Sequence, residues 1–468
     1  MGGAAYQRLT GLDNAFLVYE DDSAAMHVAS TQILEAAPLR ASDGSIDIDR
    51  ITDYVVSRLD RIPRYRQRLL RTPIEGHPVW ADDPNFNVRY HVRLTALPRP
   101  GDERQLKRLV ARVFSQQLDR DKPLWELWLV EGLEGDRLAL ISKVHHCMVD
   151  GISGAELLAE LLTSEPLEKV EITPTWAPRP MPGAWQLGVD EVTRVLRAPI
   201  DLAANALRIA RDEDHARHHL SERMRALARL IADGARIATP TPFNRPVGPY
   251  RRVDWWAMPI ARIREVRRRL GGSLNDVVLA VASGGLARYL SHSRGVDLDS
   301  LDFRIMAPVS MRAPEQTGTL GNRVSAWIVP LPLAERDPVA RLRKICETTA
   351  KLKRNSQALG AETLTQVTEW TGSTLLSLGA RLMSLGTPFN MVITNVPGPR
   401  VPLYLLEAPM LEAHPIVPLM GPLGLGIALF SYVDTLSWGF SADWDLVPDL
   451  HDLVRAVEES FEELAEAS

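Results

Sequence analysis

Cysteine is scarce: the 468 residues hold two, Cys147 and Cys346. No disulfide framework and no cysteine-rich zinc site can be built from them, which fits a reducing compartment. Lysine is scarce too, so arginine carries nearly all of the positive charge. The formal net charge of −5 gives no global field that would recruit nucleic acid. Met1 to Glu20 has no basic start followed by an apolar run, so no signal peptide is expected. A helix-compatible apolar run of the ~20 residues that span a bilayer is also missing. The longest uncharged stretch, Ala413 to Val433, is broken by Pro415, Pro418, Gly421, Pro422, Gly424 and Gly426. It reads as buried strands and turns, so membrane contact, if any, is expected at the surface.

What remains is ordinary for a soluble globular chain: 45% hydrophobic and 24% charged residues. The length favours more than one domain. Gln105 to Gln117 reads as a helix with Leu106, Leu109, Val110 and Val113 on one face. Leu124 to Val130 and Leu138 to Val144 read as strands joined by a turn over Glu131 to Asp136. After Gly151, Ile152, Ala155, Leu158 and Leu162 recur at helical spacing, opened by a Ser153–Glu156 capping box. Pro174, Pro178, Pro180 and Pro182 then exclude a helix interior or central strand. An arginine-rich helical region follows, from about Val189 to Ile237. The organisation expected is a first domain over 1–172, a proline-rich and helical linker over 173–250, and a second domain over 251–468. In the second, Ser273-Leu274-Asn275-Asp276 opens a helix to about Leu290. Phe303–Val309, Arg323–Pro330, Phe389–Asn395, Gly424–Tyr432 and Thr435–Ala442 read as strands. Interleaved strands and helices in both halves make the class α/β, or mixed α+β.

The chemistry concentrates in His145-His146-Cys147-Met148-Val149-Asp150-Gly151, where a strand gives way to a helix. If residues 144–147 are extended, side chains alternate, and His146 points opposite to His145 and Cys147. One histidine can face a cavity while the other packs inward. Gly151 eases the exit into the helix, and Asp150 suits a cap or an ion-pair partner holding the loop. Four readings compete. Both histidines can be satisfied in the core. A metal site is weakened by their divergence and by the absence of H-E-x-x-H spacing. A Cys147 nucleophile is weakened by its facing away from His146. General-base chemistry by His146 needs a hydroxyl or amine substrate and an activated acyl donor, with no covalent enzyme intermediate. His215, His218 and His219 have metal-like spacing but sit among Arg211, Asp212, Glu213, Asp214 and Arg217, as on a solvated face. No metal is expected.

H-H-x-x-x-D-G resembles the signature of the coenzyme A-dependent acyltransferase superfamily, which includes chloramphenicol acetyltransferase, nonribosomal condensation domains, polyketide-associated acyltransferases and bacterial wax ester synthase/diacylglycerol acyltransferases. Further segments are similar to the last of these: Leu9-Thr10-Gly11-Leu12-Asp13 with Phe16-Leu17 and Met26-His27-Val28, Pro123-Leu124-Trp125, Ser273-Leu274-Asn275-Asp276, Pro308-Val309-Ser310-Met311-Arg312 with Gly321-Asn322, and Asn395-Val396-Pro397-Gly398-Pro399. They occur in that family's order along almost the whole chain.

The resemblance implies two chloramphenicol acetyltransferase-like domains, each a central sheet flanked by helices, with the site in a channel at their interface. It makes His146 the base that deprotonates an acceptor hydroxyl, which attacks the thioester of a fatty acyl-CoA. Acyl-CoA is then a co-substrate, and no cofactor is held permanently. The acceptor is diacylglycerol, giving triacylglycerol, or a long-chain alcohol, giving a wax ester. Such an enzyme is expected in the cytoplasm, peripheral to the inner membrane or to lipid droplets. Asp150 is expected to be structural, with Arg312 as its partner. Asn275 and Asp276 are first a helix start, and the resemblance adds Asn275 to the active-site wall. Pro123 and Trp125 are architectural. Pro397-Gly398 suits the centre of a type II turn, with Thr394 and Asn395 at its base as oxyanion-donor candidates. Where some relatives carry D-F-G-W-G, this chain has Ser441-Ala442-Asp443-Trp444-Asp445, which counts against a condensation domain. Two other readings stand: an acyltransferase for a polyketide or glycolipid hydroxyl, and a non-catalytic lipid-binding protein on the same scaffold.

Overall fold

The computed structural model describes residues 6–148, 160–168, 170, 176–194, 196, 237–310, 324–359 and 387–468. In chain order its strands are β1 (Tyr6–Arg8), β2 (His27–Glu35), β3 (Gln67–Arg71), β4 (Pro78–Asp82), β5 (Val92–Ala96), β6 (Trp125–Leu133), β7 (Arg137–His145), β8 (Arg251–Pro259), β9 (Arg304–Ser310), β10 (Val324–Pro330), β11 (Met391–Val396), β12 (Tyr404–Leu405), β13 (Ala408–Ile416), β14 (Leu425–Tyr432) and β15 (Thr435–Asp443). Its helices include α1 (Gly11–Tyr19), α2 (Ile48–Arg58), α3 (Val88–His91), α4 (Glu103–Ser115), α5 (Ile260–Leu270), α6 (Leu274–Arg288), α7 (Pro338–Leu359) and α8 (Leu450–Glu466). The class is mixed α/β, with two six-stranded sheets and one of three strands.

The first large sheet runs β12-β13-β2-β7-β6-β5. Only its β5–β6 pair is parallel. The expected hairpin is present, but β6 continues past Val130 through a bulge to Leu133, which tightens the turn to Glu134-Gly135-Asp136. Helix α4 forms where expected because Asp102 and Gln105 cap it reciprocally and its apolar residues share one face. That face packs on Val130, Ala139 and Ile141 of the first sheet and on Val253 and Trp255 of β8. Lys107 reinforces the contact with an ion pair to Asp254 at 2.6 Å.

The second large sheet runs β10-β9-β11-β14-β15-β8, with β11 parallel to both β9 and β14. Helix α6 is buried almost all round and packs, with α8, against this sheet. The unforeseen element is β13. It belongs by sequence to the C-terminal half yet pairs antiparallel with β2, completing the first sheet. Its Pro409 and Pro415 argue against a strand interior. Pro409 precedes Met410, the first residue paired with β2, and Pro415 lies beyond the two residues, Ala408 and Pro409, that β12 covers on the outer side. Where β13 crosses β15, a Cβ on Gly439 would lie 1.7 Å from the Pro415 carbonyl oxygen, so only glycine fits.

Among the described residues no single helix is long and apolar enough to cross a membrane. Residues 260–270 and 274–293 reach that composition only together, and they bend by 99° between them.

Candidate active site

Strand β7 ends at His145, and His146–Met148 form a 3-10 turn. The backbone is therefore not extended through Cys147, because the strand loses its pairing partners beyond His27. The two histidines still diverge. His145 is buried, with Nδ1 3.0 Å from Cys147 Sγ and accepting the Cys147 backbone N–H at 3.2 Å. His146 is half-buried, and its ring stacks on Phe16 with centroids 3.8 Å apart and planes at 18°. Its backbone N–H donates to the Met26 carbonyl at 2.8 Å. Phe16 is delivered by α1, whose start is fixed by Thr10 capping the Asp13 N–H at 3.1 Å. The N-terminal segment 9–28 thus builds the seat of the His146 ring.

Burial pushes the His146 imidazole down to about 4, with the neighbouring His145 adding to the effect, so the ring is neutral at physiological pH. The Cys147 thiol is driven the other way by burial, with Asp13 and Glu20 adding to the effect, and stays protonated. A Cys147 thiolate nucleophile is unsupported on both geometry and charge.

Behind this pair lies a carboxylate that the sequence did not expose. Glu20 sits 3.3 Å from His145 Nε2 and accepts from Arg120 Nε at 3.0 Å. Its other oxygen accepts the Met26 N–H at 3.3 Å. Burial alone would raise its pKa, but His145 and Arg120 together hold it at about 2. With Nδ1 of His145 acting as an acceptor, the ring proton belongs on Nε2, facing Glu20. Glu20, Arg120 and the ring of Phe16 join residues 100 or more positions apart, and no local spacing signals that.

The remaining candidates divide. Trp125 is buried between the rings of Tyr65 and His91, each 4.5 Å away, and its indole N–H donates to the Tyr65 carbonyl at 2.8 Å. Pro123 is buried beside it, and the next carbonyl, of Leu124, accepts the His145 N–H at 2.9 Å. Asp276 is consumed by the capping box with Ser273 and by Thr349, whose hydroxyl donates to it at 2.7 Å. Asn275 stays exposed, and its side-chain oxygen accepts from Asn395 Nδ2 at 2.6 Å. The start of α6 and the end of β11 are thereby joined. Thr394 and Asn395 are neighbours on β11 and occupy opposite faces of the sheet, so they do not form one paired donor site. Val396 packs against the apolar cluster that also holds Cys147 and Met148. Asp150, Gly151 and Arg312 lie outside the described residues, as do Ser153, Glu156 and His215, His218 and His219.

One turn differs from expectation. Gly398 does not adopt the positive φ that a type II turn requires. Its role is close approach: a Cβ there would lie 2.1 Å from the Ser431 carbonyl oxygen. Asp443 also finds a plain function. Buried at the end of β15, it accepts the backbone N–H groups of Gly248, Asp445 and Leu446 at 2.7, 3.0 and 3.0 Å.

Comparison with known proteins agrees with this architecture. The model of the wax ester synthase/diacylglycerol acyltransferase catalytic domain matches residues 9–278, and that of the WS/DGAT C-terminal domain matches residues 320–465. The chain is 31% identical over 473 residues to a protein of Mycobacterium tuberculosis named "Probable diacyglycerol O-acyltransferase tgs1", covering 98% of this chain and 96% of that one. Among solved structures, the wax ester synthase/diacylglycerol acyltransferase from Marinobacter aquaeolei VT8 is 26% identical, with a TM-score of 0.70 over 98% of this chain and 99% of that one. The first condensation domain of the calcium-dependent antibiotic synthetase shares the fold at 16% identity, with a TM-score of 0.61 over 99% and 97% of the two chains.

Proposed function

The chain belongs to the wax ester synthase/diacylglycerol acyltransferase family, and from that premise we propose that it transfers a long-chain acyl group from acyl-CoA to diacylglycerol, forming triacylglycerol, with long-chain alcohols as further acceptors. The observation that carries this reading is the neutral, half-buried imidazole of His146, fixed at the end of β7 by Phe16 and the Met26 carbonyl. A neutral imidazole can take the acceptor's hydroxyl proton as the oxygen attacks the thioester carbonyl. The carbon–oxygen bond forms, the carbon–sulfur bond breaks, and the imidazolium returns its proton to the departing thiolate. No covalent enzyme intermediate is needed.

His145 and Glu20 position the base from behind. Asn275, oriented by Asn395, is the candidate donor to the acceptor or to the developing oxyanion, and Thr394 faces the other side of the sheet. Asp150, Gly151 and Arg312 would hold the loop that follows the base. We read 1–172 and 251–468 as two acyltransferase-like halves bridged by 173–250, with a channel between them open to acyl-CoA on one side and acceptor on the other. The enzyme would work in the cytoplasm at the surface of the inner membrane or of lipid droplets.

The test is labelled oleoyl-CoA supplied with diacylglycerol, with hexadecanol or with neither, read as free thiol and labelled ester. Ester formation matched by thiol release with diacylglycerol supports the reading. Activity confined to a glycolipid or polyketide acceptor contradicts it, as does acyl-CoA binding with no thiol release.

A further inference from the structure

Residues 184–194 and 196 are helical, and this helix carries an apolar stripe on the wrong side for a core element. Trp185, Val189, Val192 and Leu196 are 84%, 44%, 46% and 68% exposed. At 3.6 residues per turn they fall within about 60° of one another around the helix axis. The opposite face is fixed to the body. Leu187 is buried, and the buried Glu191 carboxylate accepts from the Thr72 hydroxyl at 2.6 Å and from the Ile74 and Glu75 N–H groups at 3.0 and 2.8 Å. Asp190 accepts from the Tyr6 hydroxyl at 2.8 Å, and Arg194 pairs with Glu75. With these bonds in place the helix cannot roll to hide its stripe. Ile74, in the turn that Glu191 holds, and Met181, just before the helix, extend the patch at 64% and 43% exposure.

Cationic groups border it. Arg68 lies against Met181, and Arg71 donates to the Gly76 carbonyl in the same turn as Ile74. Neither has a carboxylate partner among the described residues. An exposed tryptophan with aliphatic neighbours, rimmed by arginine, matches the interfacial zone of a bilayer with anionic headgroups.

We propose that this helix face is the surface by which the protein lies on an anionic phospholipid layer, Trp185 seated at headgroup level and Arg68 and Arg71 on the phosphates. The inference rests on the peripheral, lipid-acceptor reading above, and it assigns that contact to one element.

The test uses the purified full chain and the W185S/V192S variant, with vesicles of phosphatidylcholine containing phosphatidylglycerol and with phosphatidylcholine alone. Co-sedimentation should show the wild type on the anionic vesicles and the variant partitioning about tenfold or more weaker. Its thermal melt should be unchanged, because the replaced side chains are exposed, and Trp185→Phe should retain most of the binding. Thiol release from oleoyl-CoA with detergent-dispersed diacylglycerol, measured in parallel, should be equal in wild type and variant. Loss of that activity in both, with vesicle binding intact in the wild type, would sink the transfer reading and leave the surface assignment standing. Equal partition of wild type and variant would overturn the assignment. So would a wild type that ignores vesicles, or a dimer that the variant abolishes, which would give the patch to a second copy of the chain.

Discussion

His146 owes its proton affinity to the place where its ring sits. Burial against Phe16 and the nearby His145 push the imidazole down to about 4. Below that value the base is protonated and transfer stops; above it the lone pair is available. The acid limb of kcat/KM is therefore expected near pH 4 and not near the ordinary histidine value of about 6.5. A pH profile with its limb near 6.5 would contradict this. The divergence of His145 and His146 was legible from strand alternation, even though the strand stops at His145. Glu20 was not legible, because its partners Arg120 and His145 are distant in sequence and its own neighbourhood is an ordinary helix end. Glu20→Gln keeps an acceptor for the Met26 N–H but removes the charge facing His145 and Arg120. Since Arg120 is 41% exposed, the loss in stability should be about 1–3 kcal/mol, less than for a fully buried pair. The same variant should lower kcat with little change in KM, and steady-state kinetics beside urea denaturation would show both.

Elements with reciprocal caps or clean alternation were foreseeable in the sequence. Helix α4 with Asp102 and Gln105, helix α6 with Ser273 and Asp276, and the β6–β7 hairpin all form close to their expected limits. Strand β13 was not foreseeable. Two prolines mask it, and its partner β2 lies nearly 400 positions away, so nothing local indicates the pairing. Its crossing of β15 depends on Gly439, whose hydrogen faces the Pro415 carbonyl. Backbone on both sides leaves no flexible side chain to give way. Gly439→Ala should destabilise the fold by ~3 kcal/mol or more, the upper range of overpacking effects, read as a lower urea midpoint. An unchanged midpoint would mean that the two strands separate without cost.

Across the whole molecule, buried histidines set the response to acid. Burial holds His27 well below its ordinary value and His91 at about 4. Unfolded, both take a proton near pH 6.5. Between about 6.5 and 4 the unfolded chain thus binds more protons than the folded one, and stability falls as pH falls through that window. Glu20, held at about 2, keeps its contribution there and loses it only at lower pH. Urea midpoints should be lower at pH 5 than at pH 7; a higher midpoint at pH 5 would reverse the sign. The two sheets meet through α4, Lys107–Asp254 and the β13 crossing, so the site at the end of β7 depends on both halves of the chain. The measurement that tests the account most directly is thiol release from a long-chain acyl-CoA in the presence of diacylglycerol, in the wild type and in His146→Ala. Transfer should fall by about 10²–10⁴-fold in the variant, with acyl-CoA binding retained. Turnover equal to the wild type would contradict His146 as the base.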